Sequence, residues 1–418
     1  MNSTRERRAE QANQGNVLVI CVTFFAQTTA NSLWFSLLSV YLNSIGLSTV
    51  WIGAVLTIYN ASMSLTYMPS GRLSDRIGRR TPLIVGSAML AVTTFLMSFT
   101  KEPMSIIFIL AGFGIGMGMN TPAVNALIAE SVPPTRSGMA FAGYNISTLL
   151  ASVIGSAFSG LLVNSIGYGN IFLLATAITA LATGILYWFV HETERSHNSS
   201  YSSAIRESVS GSLPGTIRLL RSDRDLLLLA ISLSIHSFGI SVLNPYIPLF
   251  ASNAIHLNIV EVGLVISTWN AGLLVAQIPS GKMTDRIGAR LTLFNHILFS
   301  TMAWATYALS QDFTAAIVTM FIFGLIGAMD MPARRTIMIE FSHHEGKATV
   351  IGSLDALTGF VGIVAPFIGG ALWAGIGYTA PFFFGAAVNA TAIPLLLLLA
   401  KRERKLRRER SKAIPPTT

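Results

Sequence analysis

Long apolar runs alternate with short polar segments from residue 17 to residue 400. Twelve of the runs are long enough to cross a bilayer as helices, because about 20 residues at roughly 1.5 Å each span its hydrocarbon core. They fall at 17–43, 49–70, 81–100, 103–129, 138–163, 168–190, 225–251, 259–280, 290–310, 313–339, 347–373 and 378–400, and are numbered here as spans 1 to 12. One set of connections is short: "NSIGLS", "TKEP", "NSIGYG", "SNAIHLN", "SQDF" and "AGIGYT". Short turns predict antiparallel neighbours in compact bundles. The longest polar stretch, 191–224, is rich in Ser, Gly and charge and reads as a linker. The expected organisation is a six-helix bundle over 1–190, the linker 191–224, and a second six-helix bundle over 225–418 that ends in a basic tail.

Composition agrees. Of 418 residues, 52% are hydrophobic and 11% charged, against about 25% charged in a soluble domain. An all-α membrane protein is the expected fold class. The single cysteine, Cys21, excludes an internal disulfide or a cysteine metal cluster. The polar stretch Met1–Asn16 does not read as a cleavable signal peptide.

Lys and Arg set the expected orientation, because cytoplasmic loops retain them. Twenty-five of the 28 fall on one side of the twelve spans, only Lys101 falls on the other, and Arg334 and Arg335 lie within a span. Both termini are therefore expected in the cytoplasm of a multi-pass cell-membrane protein. Attraction to anionic lipid accounts for the terminal "KRERKLRRERSK", so no nucleic-acid partner is expected.

The chain also repeats itself. At an offset of 210, ten of the 22 positions in Tyr59–Arg80 match Trp269–Arg290; chance at ordinary residue frequencies gives roughly one or two. Pro122 pairs with Pro332, Glu130 with Glu340, Gly160 with Gly370, and Gly167-Tyr168 with Gly377-Tyr378. Two six-helix units in parallel orientation follow, an arrangement in which secondary transporters place a binding site between repeats near the midplane.

The loop "SGRLSDRIGRR" at 70–80, echoed as "SGKMTDRIGAR" at 280–290, resembles the signature of the major facilitator superfamily. The resemblance covers the whole chain. It implies two six-helix bundles related by a pseudo-twofold axis, alternating access, no bound cofactor and a monomer. It further implies a cytoplasmic latch between the halves that holds the outward-open state, made from Gly71, Asp75, Arg76, Gly78, Arg79, Arg80 and Glu130 with Gly281, Asp285, Arg286, Gly288, Arg290 and Glu340. Gly71 and Gly281 are expected to end their helices. Gly78 and Gly288 are expected to permit a close approach. Asp75 and Asp285 are expected to accept hydrogen bonds from helix N-termini.

In this superfamily spans 1, 4, 7 and 10 line the cavity. The candidate substrate contacts are Gln27 and Asn31, one turn apart on span 1; Asn120 and Asn125 on span 4; His236 and Asn244 on span 7, near Pro245 and Pro248, which should kink it. Asp330, Arg334 and Arg335 follow on span 10, and Asp355 on span 11. Helical rise puts Arg334 roughly 8 Å, Asp355 about 12 Å and Asp330 about 14 Å from the cytoplasmic end, so these three could meet. Charges inside a membrane usually face a cavity or a partner. A substrate- or proton-binding cluster and a structural set of ion pairs both fit. His236 suits proton coupling by its ordinary pKa near 6.5, but a structural hydrogen bond is the favoured reading for a single histidine on a membrane helix. At the 210 offset Asn120, Asn125 and Asn145 stand where Asp330, Arg335 and Asp355 stand in the second half.

The chain departs from the proton-coupled drug antiporters of that superfamily in two places. Phe108 stands where their span 4 often carries an arginine, and span 5, "VIGSAFSGLL", lacks the usual proline. A phosphate-binding GxxxxGK[ST] is missing, and no converging nucleophile–base or metal-ligand set points to an enzyme. The expected task is efflux of a small amphipathic or drug-like compound, with the proton as candidate coupling ion. The alternative is uptake or facilitated diffusion of a small polar or anionic metabolite, with Arg334 or Arg335 as counter-charge.

Overall fold

A computed structural model describes residues 2–192, 224–340 and 347–399. Most of the linker, the His343-His344 loop and the basic tail lie outside the described residues. Nine helical segments among those described are long and apolar enough to cross a membrane. One of them, Thr135–Phe189, is broken at Gly167, where φ is 77°, and supplies spans 5 and 6. Thr49–Ile77 and Ala289–Tyr307 supply spans 2 and 9, which completes twelve.

Several spans are interrupted. Span 1 runs as Asn2–Phe35 and Leu38–Ser44. Span 7 breaks as expected at its prolines, where a 3₁₀ turn, Asn244–Tyr246, joins Arg224–Leu243 to Ile247–Asn253. Span 10 breaks between Phe313–Gly327 and Asp330–Glu340, ahead of Pro332.

The duplication is legible in the backbone. Among the described residues, those with positive φ are Gly46 and His256, Gly78 and Gly288, and Gly167 and Gly377. Each pair is 210 residues apart, so the chain turns the same way at the same places in both halves. The helix starts repeat too. Ser48 and Asn258 cap spans 2 and 8 through their side chains, and Glu102 and Asp312 cap spans 4 and 10. Each such cap satisfies amide groups left over at a helix start, and the Ser48, Asn258 and Asp312 caps are of the kind that typically contributes about 1 kcal/mol. Glu102 accepts from the Ser105 and Met104 amides, and a hydrogen bond from the Ser105 side chain, together with these amides, holds its pKa below the usual carboxylate value.

Packing separates the two ends of the molecule. At the loop end, where residues 70–80 and 280–290 lie, each half has its own apolar core. Ile20, Leu83, Leu127 and Leu186 belong to one, and Leu229, Leu293, Ile337 and Leu396 to the other. At the opposite, turn end a single core joins both halves, with Leu42, Ile52 and Phe172 beside Tyr246, Phe250 and Ile255. Span 2 lies on span 11 and span 5 on span 8 through matched glycines. A Cβ at Gly160 would overlap the Ile259 carbonyl, and one at Gly370 would overlap that of Thr49. Asn253 donates to Asn43 at 3.1 Å. These two residues are mates at the 210 offset, and mates touch only on the axis that relates the halves. The halves therefore meet closely around that axis at the turn end.

Candidate functional site

The two signature loops are built alike and charged differently. Helices continue through Gly71 and Gly281 to Ile77 and Ile287, so neither glycine ends a helix, contrary to the sequence expectation. The chain turns instead at Gly78 and Gly288, whose φ values of 102° and 91° suit glycine alone at no steric cost. Gly78 also makes the close approach expected of it, to the Glu192 carboxylate, whereas a Cβ at Gly288 would meet open space.

In the first loop Arg79 is buried between Asp75 and Glu130, the latter at 3.0 Å. Burial alone would lower its pKa; the hydrogen bonds and charges of Glu130 and Asp75 more than reverse that and leave it raised. Glu192 caps the backbone amides of Arg79 and Arg80, and the Arg80 side chain reaches the Tyr187 carbonyl and ring. In the second loop Ala289 takes the place of Arg79. Arg290 turns to Glu340 at 3.5 Å, and Asp285 and Arg286 are exposed. Asp75 thus pairs with a side chain rather than a helix N-terminus, and Asp285 points into solvent. The ion pairs of Arg79 with Asp75 and Glu130, Arg290 with Glu340, Arg334 with Asp330 and Arg335 with Asp355 each lie within one half.

The charges of spans 10 and 11 form two pairs, not one cluster. Arg334 holds Asp330 through two hydrogen bonds, at 3.2 and 2.8 Å, within the C-terminal bundle. Arg335 holds Asp355 at 2.8 Å, and both side chains are 36% exposed. The expected meeting of Asp355 with Asp330 and Arg334 does not occur, because Arg334 and Arg335 point to different faces of one helix, as adjacent residues about 100° apart must.

Two candidates fall inside their bundles rather than between them. Asn120 is buried and donates to Ser87 on span 3 at 3.2 Å. His236 is buried with both ring nitrogens engaged, by Asn389 at 2.9 Å and by His296 at 3.1 Å. His236 has no ring nitrogen left for a substrate in a central chamber, whereas the Asn120 Oδ1 is buried without a partner among the described residues. Span 1 differs. Gln27 is 2% exposed, yet neither of its amide atoms has a partner among the described residues, and one turn later the Asn31 Oδ1 is equally unmatched. A buried amide without partners costs free energy unless something fills the gap. Asn125 is half-buried and Asn244 exposed.

His296 and Asn389 were not singled out from the sequence, although a signal existed. At the 210 offset His296 faces Gly86, beside the exchange of Asn120 for Asp330. The contacts are conserved in geometry: a Cβ at Gly86 would approach the Gly116 carbonyl, and the His296 ring meets the carbonyl of Ile326, the mate of Gly116.

The family model described as the Major Facilitator Superfamily matches residues 19–235 and again 229–417. The chain belongs to the Major Facilitator Superfamily. It is thus a multi-pass membrane transporter of the superfamily's fold, with two six-helix bundles about a pseudo-twofold axis. A relative in sequence is the multidrug resistance protein MdtG of Dickeya zeae (strain Ech586), 22% identical over 384 residues, which covers 89% of this chain and 91% of that protein. Solved structures of the superfamily share the fold. The nucleoside transporter NupG has a TM-score of 0.76 at 13% identity, covering 92% of this chain and 99% of that one. A bacterial homologue of the human lysosomal transporter Spinster, inward-facing and unoccupied, has a TM-score of 0.70 at 15% identity, covering 93% and 96%.

Proposed function

We propose that this protein exports small amphipathic, drug-like organic compounds by alternating access. The observation that carries this reading is the unequal packing of the two ends: one core shared by both halves at the turn end, and two separate cores at the loop end. Rocking of the halves, which parts Asn43 from Asn253 at the turn end and brings the loop ends together, exchanges which end is closed. The Lys and Arg distribution supports a cytoplasmic loop end with both termini inside, so the conformation described is the one open to the cytoplasm. The full-length relationship to MdtG proteins supports efflux and the drug-like class.

The substrate contacts in this reading are Gln27, Asn31, Asn125, Asn244, Arg335 and Asp355, with Tyr59 and Trp269 as aromatic walls. Tyr59 packs on Phe113 and Trp269 stacks on Phe323 at 5.4 Å, and these are again mates at the 210 offset. Neutral amides and aromatic faces suit amphipathic compounds of varied shape. Recognition of an anion is disfavoured because Arg334 and Arg335 already hold carboxylates. The signature loops form the latch on the outward-open side of the cycle. Asp285 and Arg286 are exposed in the inward-open state and meet the first loop's charges as the loop end closes.

Everted membrane vesicles test this with ethidium and a panel of amphipathic dyes. Uphill accumulation inside vesicles that carry the protein, beyond vesicles that lack it, is expected. Accumulation only in right-side-out vesicles, or of small anions in place of the dyes, would overturn it.

A further inference from the structure

The C-terminal half holds a buried chain of hydrogen bonds that the N-terminal half lacks. It starts at Asn389 on span 12, passes through His236 on span 7 and His296 on span 9, and ends at the Ile326 carbonyl on span 10. Asn389 Nδ2 donates to the Ile297 carbonyl at 3.1 Å and to Thr301 Oγ1 at 2.9 Å. These bonds fix the amide, so its oxygen faces His236 Nδ1 at 2.9 Å. An amide oxygen only accepts, so His236 Nδ1 carries the hydrogen. At the far end His296 Nδ1 lies 2.9 Å from the Ile326 carbonyl, which also only accepts. Its Nδ1 carries a hydrogen as well.

Two neutral imidazoles of that tautomer have bare Nε2 atoms, and here those atoms are 3.1 Å apart. Lone pairs facing each other at that distance repel. One proton between them turns the contact into a charge-assisted hydrogen bond. We propose that His236 and His296 form a proton-binding site that takes one proton between their Nε2 atoms, with Asp330 as its counter-charge. The pair passes from two ring protons and no charge to three ring protons and one positive charge, the added proton coming from water.

The surroundings fit. A ligating atom of each of His236, His296 and Asp330 lies within 4.8 Å of the others. Asp330 and Arg334, both from span 10, are the charged groups that act on both rings. The other neighbours are neutral: Ser300 at 3.5 Å from His296, and Trp304 stacked on His236 at 5.7 Å. Arg334 shares Asp330 with the pair, so the net charge of the four groups rises from zero to one on loading. The loaded pair competes with Arg334 for the carboxylate, immediately after the break in span 10. The same donor set is also geometrically capable of holding a divalent metal. The nearby guanidinium of Arg334 opposes a doubly charged ion far more than it opposes one proton. The N-terminal counterparts are Ala26, Gly86, Asn120 and Thr179, none of them ionisable. A role for this site as the coupling site rests on the transport reading above; the binding of a proton does not.

The test is ¹⁵N magnetic resonance of histidine-labelled full-length protein in lipid nanodiscs, with signals assigned by loss in His236→Gln and His296→Gln. Both Nδ1 atoms should stay protonated as pH is lowered. A single Nε2 proton should appear per protein, with scalar coupling between the two Nε2 nuclei. A bare Nδ1 on either ring, or no added proton over the pH range in which the protein stays folded, would overturn the proposal. So would stoichiometric Zn²⁺ between the rings that a chelator removes. In proteoliposomes His296→Gln, and separately His236→Gln, should lose gradient-driven ethidium transport and retain ethidium counterflow. Retained gradient-driven transport in both variants would overturn the coupling role. Absence of any ethidium movement by the unaltered protein would count against the efflux reading alone, since the resonance measurement still decides the proton site.

Discussion

The two halves of this transporter share a backbone and differ in charge. Where the chain needs a special conformation, the halves agree: Gly46 with His256, Gly78 with Gly288, and Gly167 with Gly377. Where helices must approach closely they agree again, as in Gly160 on Ile259 and Gly370 on Thr49. Side-chain chemistry has diverged. The first half keeps neutral groups inside, with Asn120 on Ser87, and places its buried cation at the loop, where Arg79 sits between two carboxylates. The second half has Ala289 at that loop position and moves its ionisable groups inward, to His236, His296, Asp330 and Arg334. Duplication fixed the hinge and the packing, and those positions tolerate little. The bundle interiors could then take different tasks.

Substitutions that erase the difference should have the largest effect. Asp330→Asn makes the second half resemble the first but leaves the Arg334 side chain, 14% exposed, without its carboxylate. Loss of one partner of a buried ion pair typically costs about 3–5 kcal/mol, so a marked drop in thermal stability in detergent is expected. A drop no larger than that of Asn120→Ala would contradict the buried pairing.

The next effect tests what the halves share. Gly160→Ala and Gly370→Ala each place a methyl group against a backbone carbonyl of the opposite half. Overpacking of this kind costs about 1–3 kcal/mol, and only the state closed at the turn end bears it. Each change should therefore shift the population toward the state open at the turn end by about fivefold or more, read as longer distances between spin labels across that end. Unchanged distances would mean that the close contact is not state-dependent.

Arg335→Gln removes a half-exposed pair, for which about 0–1 kcal/mol of stability is typical; it should leave the melting temperature nearly unchanged and act on substrate affinity. The smallest effect concerns Glu102. Its folded-state pKa is lowered by the Ser105 side chain and the amides it caps, so the cap's contribution is complete above the ordinary carboxylate pKa and fades as pH falls through the lowered one. Glu102→Gln should lower stability slightly near neutral pH, and the difference from the unaltered protein should vanish as pH falls through the lowered pKa.

The architecture was legible in the sequence because hydrophobic length and a fixed repeat offset are properties of the chain itself. Twelve spans, the paired loops and the proline break in span 7 all followed from them. The errors came from side-chain direction. Gly71 looks like a helix end, yet Gly78 carries the positive φ, and a glycine's role depends on which one the turn uses. Depth along a helix places Asp330, Arg334 and Asp355 at similar levels but not their azimuth, so the sequence leaves open which of Arg334 and Arg335 pairs with Asp355. His236 and Asn120 were assigned to the central chamber on span number alone, whereas each faces inward to its own bundle. His296 was legible only by comparison with Gly86.

The most direct test of alternating access by parting of the halves at the turn end is an oxidative cross-link between Asn43→Cys and Asn253→Cys, with Cys21 changed to Ala. The account predicts that the cross-link forms readily, stops ethidium transport in both directions and releases it on reduction. Transport at an undiminished rate through the cross-linked protein would contradict it.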